Sequence, residues 1–236
     1  MIRDRNSTFG VIAEMKSMKS FSVMAVWMIG AFLVPAGIPM AVADEALAPP
    51  QTVIQKTADQ LQVSLQKPEN KSDFKKATQV VDKIISPHVD FDRVSVLVLG
   101  KNWRNATPDQ RERFKKEFRM LLVRTYTTAF TEYANWKIRY LPLNDEDSGD
   151  KKVMVKTEIL QSGGKPVAVD YRMIRDEDEC RVYDVLIEGI SLLQNYRASF
   201  SDEVEQSGSL DGLIAHLAER NSGALENKGT GATKGL

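Results

Sequence analysis

Val153-Met154-Val155-Lys156-Thr157-Glu158-Ile159 puts Val153, Val155, Thr157 and Ile159 on one side of an extended chain and Met154, Lys156 and Glu158 on the other. A period of two over seven residues is the pattern of a half-buried strand. The same period extends in both directions. Upstream, Trp136, Ile138 and Tyr140 alternate with Lys137, Arg139 and Leu141, and Asn144 to Asp150 reads as an acidic loop. Downstream, Ser162-Gly163-Gly164 supplies turn chemistry before Val167, Val169, Tyr171 and Met173. The acidic turn Asp176-Glu177-Asp178-Glu179 then leads into a last strand from about Arg181 to Ile187, and Gly189 closes the series. Four consecutive strands with short connections predict an antiparallel meander.

Helical spacing surrounds this block. Ile54, Ala58, Leu61 and Leu65 follow Pro49-Pro50 and stop at Pro68. Ser72 is the expected cap of a second helix carrying Phe74, Ala77, Val81, Ile84 and Ile85. Asp90 is the expected cap of a short third one, whose Phe91, Val94, Val96, Leu97, Val98 and Leu99 leave hardly any polar face before Gly100. A helix apolar all round is expected to be buried on most sides. Thr107-Pro108-Asp109-Gln110 has the form of a capping box with proline at the first helical position. The helix it opens is expected to reach about Tyr133, with Phe114, Phe118, Leu121, Leu122, Ala129, Phe130 and Tyr133 as its apolar stripe. After the strands, Leu192, Leu193, Tyr196, Phe200 and Val204 mark a fifth helix and Leu210, Leu213, Ile214 and Leu217 a sixth. Segregated strands and helices give an α+β class: a curved antiparallel sheet of four strands, or slightly more, wrapped by about six helices.

The ends read differently. Lys16 and Lys19 precede an apolar run from Phe21 to Val34, broken by Pro35, Gly37 and Pro39, and Ala41-Val42-Ala43 stands before Asp44. The run is shorter than the roughly 20 apolar residues of a spanning helix. Residues 1–43 are therefore expected to be a cleavable secretory signal peptide, with translation starting near Met15 or Met18. Residues 44–221 are expected to form one domain, and the Gly-rich polar stretch 222–236 a disordered tail.

Composition narrows the function classes. Thirty-two Lys and Arg balance 32 Asp and Glu, so the strong positive field of a nucleic-acid binder is missing. The single cysteine, Cys180, and two distant histidines, His88 and His216, make no disulfide scaffold and no metal cluster. No cofactor or metal is expected. The chain holds no G-x-G-x-x-G, no Walker sequence and no G-x-S-x-G; Gly189-Ile190-Ser191 matches only half of the last. Cys180 near a strand start reads as a structural thiol, and the four acids at 176–179 as a solvated turn. Arg111, Arg113, Lys115, Lys116, Arg119 and Arg124 form a basic helix face relieved by Glu112 and Glu117. Such a face could attract anionic groups, but it reads first as an ordinary solvated surface. No catalytic residue is assigned.

Two blocks carry a family resemblance. Val98-Leu99-Gly100-Lys101-Asn102-Trp103-Arg104-Asn105-Ala106-Thr107-Pro108-Asp109-Gln110-Arg111, continued by Leu121-Leu122-Val123-Arg124-Thr125-Tyr126, resembles the signature of the toluene-tolerance (MlaC) family. Val182-Tyr183-Asp184-Val185-Leu186-Ile187-Glu188-Gly189-Ile190-Ser191-Leu192 resembles its last strand and turn, although Cys180-Arg181 stands where that family's pattern suggests a tryptophan.

The resemblance implies an NTF2-like sheet with an apolar cavity between sheet and helices. It implies a periplasmic phospholipid carrier, a monomer, moving lipid between an outer-membrane lipoprotein complex and an inner-membrane ABC transporter complex to maintain outer-membrane lipid asymmetry. The expected lining is Val155, Val167, Val169 and Tyr171 on the strands, Phe91, Val94, Val98, Trp103, Phe118, Leu122 and Tyr126 on the helices, and Ile190 at the turn after the sheet. Val167 and Ile190 are expected nearest the mouth. Two other readings stand beside this one. One is a small NTF2-like enzyme using Asp184 or Tyr183, or Asp170, in an apolar pocket; the other is an adaptor whose interior is filled by side chains.

Overall fold

Three backbone signals set the helical half of the fold. Thr107 Oγ1 accepts the N–H of Gln110 at 3.2 Å while Gln110 Oε1 accepts that of Thr107 at 3.0 Å, so the expected capping box is formed. Asp90 accepts the N–H of Arg93 at 2.9 Å, and Gly100 ends the same helix at φ +52°. At the second expected cap the residue differs: Asp73, not Ser72, accepts the N–H of Lys76. Pro68 does not simply end the first helix but starts a short one, in which the Ser72 hydroxyl donates back to the Pro68 carbonyl. Proline suits a first helical turn because its missing N–H would be unpaired there in any case.

The computed structural model describes residues 47–132, 136–143, 151–160, 164–176 and 179–230. The signal peptide expected over 1–43, the acidic loop 144–150, Ser162-Gly163 and the pair 177–178 lie outside these. The described elements from Ala48 onward belong to one compact unit. In chain order they are α1 (Pro49–Leu65), α2 (Pro68–Lys71), α3 (Phe74–Ile85), a 3-10 turn (Ser86–His88), α4 (Phe91–Leu99), α5 (Lys101–Asn105) and α6 (Pro108–Glu132). Then come β1 (Lys137–Tyr140), β2 (Lys152–Leu160), β3 (Val167–Asp176), β4 (Glu179–Ile187), β5 (Ile190–Ser191), α7 (Leu192–Ser207) and α8 (Leu210–Thr230).

The sheet is an antiparallel meander in the order β1-β2-β3-β4-β5. The four expected strands are present, and a two-residue fifth follows Gly189, where the sheet was expected to end. Glu188 and Gly189 both have positive φ, +50° and +78°. That is the geometry of a two-residue hairpin turn, which returns the chain beside β4. A register shift at Arg172/Met173, which pair with Asp184 and Val182, leaves Tyr183 as an extra residue that bulges β4 against β3, and such bulges increase sheet curvature. At the other end, α8 runs on through Thr230, so residues 222–230 are helical rather than disordered as expected. The polar composition of that stretch concealed a continuation of the preceding helix.

Packing divides into three clusters. The first joins α4, α6, α7 and α8 around Phe114 and Phe118; the Phe118 ring lies 5.3 Å from both Tyr196 and Phe200, edge-on to each. The second sets Ile54 of α1 against Val153, Val155, Met173, Cys180 and Val182 of the sheet, so the thiol of Cys180 is a packing group. The third holds α1, α3 and α6 together through Leu61, Leu65, Val81, Ile84 and Val123. α4 is less enclosed than its composition suggested, because Val96 is 41% exposed.

The basic face of α6 is mostly consumed in tying this frame together. Arg119 binds Asp82 of α3 through two bonds of 2.6 and 2.7 Å. Lys115 binds Asp92 of α4, and Arg113 binds Asp211 of α8. Arg111 stacks on Trp103 and donates to its carbonyl, and Arg124 donates to Asn221 of α8. These cations brace neighbouring helices, where the sequence suggested a plain solvated face.

Candidate functional site

Strand register places one continuous set of side chains on a single face of the sheet. Ile138, Ile159 and Val167 lie opposite one another across β1, β2 and β3. The next row is Tyr140, Thr157, Val169, Ile187 and Ile190, reaching from β1 to β5. Two further rows follow: Val155, Tyr171 and Val185, then Val153, Met173 and Val182. The period of two read from the sequence thus becomes an apolar wall five strands wide.

The wall is not packed evenly. Its Val153–Met173–Val182 end is filled by α1, whose Ile54 belongs to the same cluster. α1 is pinned in place by Gln51, which donates to the Leu141 carbonyl at 2.9 Å, and by Gln62, which donates to that of Trp136 at 3.2 Å. At the opposite end, Ile138, Ile159, Val167 and Ile187 are only half-buried, and none belongs to a core cluster. Val169 is buried without belonging to one either, and Ile190 is 50% exposed. Helix α6 packs chiefly on α3, α4 and α8 rather than on this part of the sheet. A folded chain ordinarily buries such a row against a partner element, and among the described residues none of the three core clusters includes it.

The few polar groups on the wall are kept dry. The Thr157 hydroxyl, fully buried, donates to the Val169 carbonyl at 2.7 Å. Burial pushes the Tyr171 phenol up to about 12 against the pull of the Thr157 hydroxyl. Burial likewise raises Tyr140, helped by the nearby Tyr171 and Asp59. Each phenol therefore stays neutral at physiological pH.

The twelve residues expected as lining separate in the structure. Val167, Val169 and Ile190 come together at the open end of the wall, while Val155 and Tyr171 lie in or against its filled part. Val94, Val98 and Phe118 belong to the helical core, with Trp103 and Leu122 packed against it. Phe91 lies beneath the Arg119 guanidinium, 5.9 Å from ring centre to cation. Burial raises the Tyr126 phenol, which sits beside Tyr196 between α6 and α7. Sequence reasoning missed Ile138, Ile159 and Ile187 as wall residues. Their alternation was visible, but only pairing shows that they continue the rows of Val167, Val169 and Ile190.

Asp184, the first choice for acid–base chemistry, is a structural node instead. Its carboxylate accepts from Arg172 at 3.0 Å, from the Ser191 hydroxyl at 2.7 Å and from the N–H of Leu193 at 3.0 Å. It pairs across the sheet with Arg172, on the face opposite the apolar wall. A carboxylate with these three donors joins β3, β4 and α7 and leaves little to offer a substrate. Tyr183 packs against the helical core. A cleft of about 210 Å³ opens elsewhere, between α4, α5 and α7, over Val98 and Leu99. That is smaller than the roughly 300–1,000 Å³ of ordinary ligand sites.

A curved sheet presenting a dry, partly uncovered apolar face, braced by helices, defines an α+β protein of the kind that can hold an apolar ligand. The comparisons agree in detail. The model of the MlaC protein family matches residues 55–219, and the chain belongs to that family. It is 27% identical over 183 residues to the toluene tolerance protein ttg2D of Pseudomonas putida, covering 74% of this chain and 84% of the relative. To the intermembrane phospholipid transport system binding protein MlaC of Haemophilus influenzae it is 26% identical over 179 residues, covering 73% and 82%. A phospholipid-binding protein from Ralstonia solanacearum, solved in complex with a phospholipid, superposes with a TM-score of 0.69 at 31% identity over 75% of this chain and 99% of that one.

Proposed function

We propose that this protein is a periplasmic phospholipid carrier, which takes up a lipid by its acyl chains and moves it between membranes. The uncovered end of the apolar wall, from Ile138 to Ile190, carries the reading. The names of its relatives and the phospholipid bound by its structural neighbour support it.

The energetics fix what the site must do. Burying a methylene stabilises by about 0.8 kcal/mol, so two chains of roughly fifteen methylenes would lose on the order of 24 kcal/mol if left in water. A carrier must return nearly all of this through a dry lining, yet not exceed the membrane by much, or release fails. The tails lie along Ile138, Ile159, Val167, Val169 and Ile187, and enter past Ile190. The headgroup remains in water, so the reaction needs no catalytic group. Delivery runs between an outer-membrane lipoprotein complex and an inner-membrane ABC transporter complex, with residues 1–43 serving as the export signal.

Mass spectrometry of the organic extract from protein purified without detergent tests the reading. One phospholipid per chain is expected. An extract free of lipid, from folded protein offered vesicles, would overturn it in favour of an adaptor.

A further inference from the structure

The 210 Å³ cleft between α4, α5 and α7 joins an apolar floor to a cationic rim. Its floor is apolar, Val98 and Leu99, both buried in the helical core. Its rim is Lys101, Arg104 and Arg197, with the Ser201 hydroxyl beside them and no carboxylate lining it. Among the described residues none of these three cations has an ion-pair partner, whereas Arg113, Lys115 and Arg119 of α6 are all paired. The cleft owes its form to Gly100. Positive φ at Gly100 turns the chain sharply from α4 into α5, and the missing side chain lets the Arg197 guanidinium lie against the backbone. A Cβ there would stand 3.4 Å from Arg197 Nη2.

We propose that this cleft is a binding site for a phosphate group, separate from the apolar wall. Three converging cations and a hydroxyl form a rim rich in donors, matched to an ion with several acceptor oxygens. The forked guanidinium groups of Arg104 and Arg197 suit phosphate oxygens in pairs. The volume admits a phosphate and a few waters at about 30 Å³ each. The apolar floor lowers the local dielectric and strengthens the attraction over that of an open surface. The ion is either free phosphate or the headgroup of an anionic phospholipid presented at a membrane surface. The proposal stands without the carrier reading, because the wall and the cleft share no residue.

Calorimetric titration with inorganic phosphate, and flotation with phosphatidylglycerol or phosphatidylcholine vesicles, separate these sources. Saturable phosphate binding, weakened at least tenfold in Arg197→Gln and in Arg104→Gln, supports the site with free phosphate as its ligand. Preference for phosphatidylglycerol vesicles that both variants lose, without a response to phosphate, supports it with a headgroup as ligand. Arg104 is exposed and lies on the short helix α5, so its variant answers the question even if Arg197→Gln unfolds. Wild-type protein that binds neither probe, or binding unchanged in both variants, overturns the proposal. The phospholipid content of the same preparations reports on carriage independently.

Discussion

Glu188 grips Ala168 from both directions: its N–H donates to the Ala168 carbonyl at 2.9 Å, and its carboxylate accepts the Ala168 N–H at 2.6 Å. This holds the β4–β5 turn against the start of β3, and so places Ile190 and Val167 at the same end of the apolar wall. Glu188 does this at φ +50°, in the left-handed region. For a residue other than glycine that conformation costs about 1–2 kcal/mol. Glu188→Ala keeps the strain and loses the carboxylate, whereas Glu188→Gly loses the carboxylate and removes the strain. The glycine variant is expected to be about 1 kcal/mol more stable than the alanine variant in urea unfolding. Equal midpoints would show that the turn stores no strain.

At the wall itself, Val167→Lys and Ile190→Glu put charge where acyl chains are to lie. Ile190 is half-exposed, so its variant should fold as the wild type does. Both are expected to lose most of their co-purifying phospholipid, read as lipid per chain by mass spectrometry. Lipid retained at the wild-type level in both would move the entrance away from this end.

Asp184→Asn tests the structural role of the node. The carboxylate is buried and bonded to Arg172, which is partly exposed, so the loss is less than that of a fully buried pair. A destabilisation of about 2 kcal/mol is expected for weakening charge-assisted bonds. For a protein of this size that lowers Tm by about 4–8 °C. Lipid content per folded chain should not change. A variant as stable as wild type but without lipid would instead place Asp184 in the binding machinery.

Acid sensitivity is expected at the α3–α6 junction. Burial raises the Asp82 carboxyl, but the hydrogen bonds from Arg119 and Ser86 outweigh it and hold it below the ordinary carboxylate range. A depressed folded pKa means the contribution is present above the unfolded value near pH 4 and disappears as pH falls through the folded value. Asp82→Asn should therefore be less stable than wild type by about 1 kcal/mol at pH 7, and the gap should close below pH 4. Urea midpoints across pH 3–7 measure it; a gap independent of pH would assign the loss to packing.

Much of this architecture is legible in the chain. The Thr107–Gln110 box, the Asp90 cap and the four alternating runs depend on neighbours within a few residues, and local patterns record such interactions. The cap at Asp73, the strand at Ile190-Ser191 and the helix through Thr230 were not legible in the same way. Ser72 and Asp73 are equally good caps by type, two residues show no period, and a polar composition hides a helix that continues from a packed one. The candidate site was half legible. Val167, Val169 and Ile190, named from the sequence, share the less packed end of the wall with Ile138, Ile159 and Ile187, which were not named, and several helical candidates lie in or against a filled core.

The sequence by itself determined that one face of a meander is apolar, because side-chain direction alternates with chain position and needs no knowledge of the surroundings. Only the tertiary structure decided which end of that face α1 fills and which end lies outside the core clusters of the described residues. That depends on register and on where a helix lies across strands distant in sequence. Apolar side chains look alike along the chain whether another side chain or a lipid covers them.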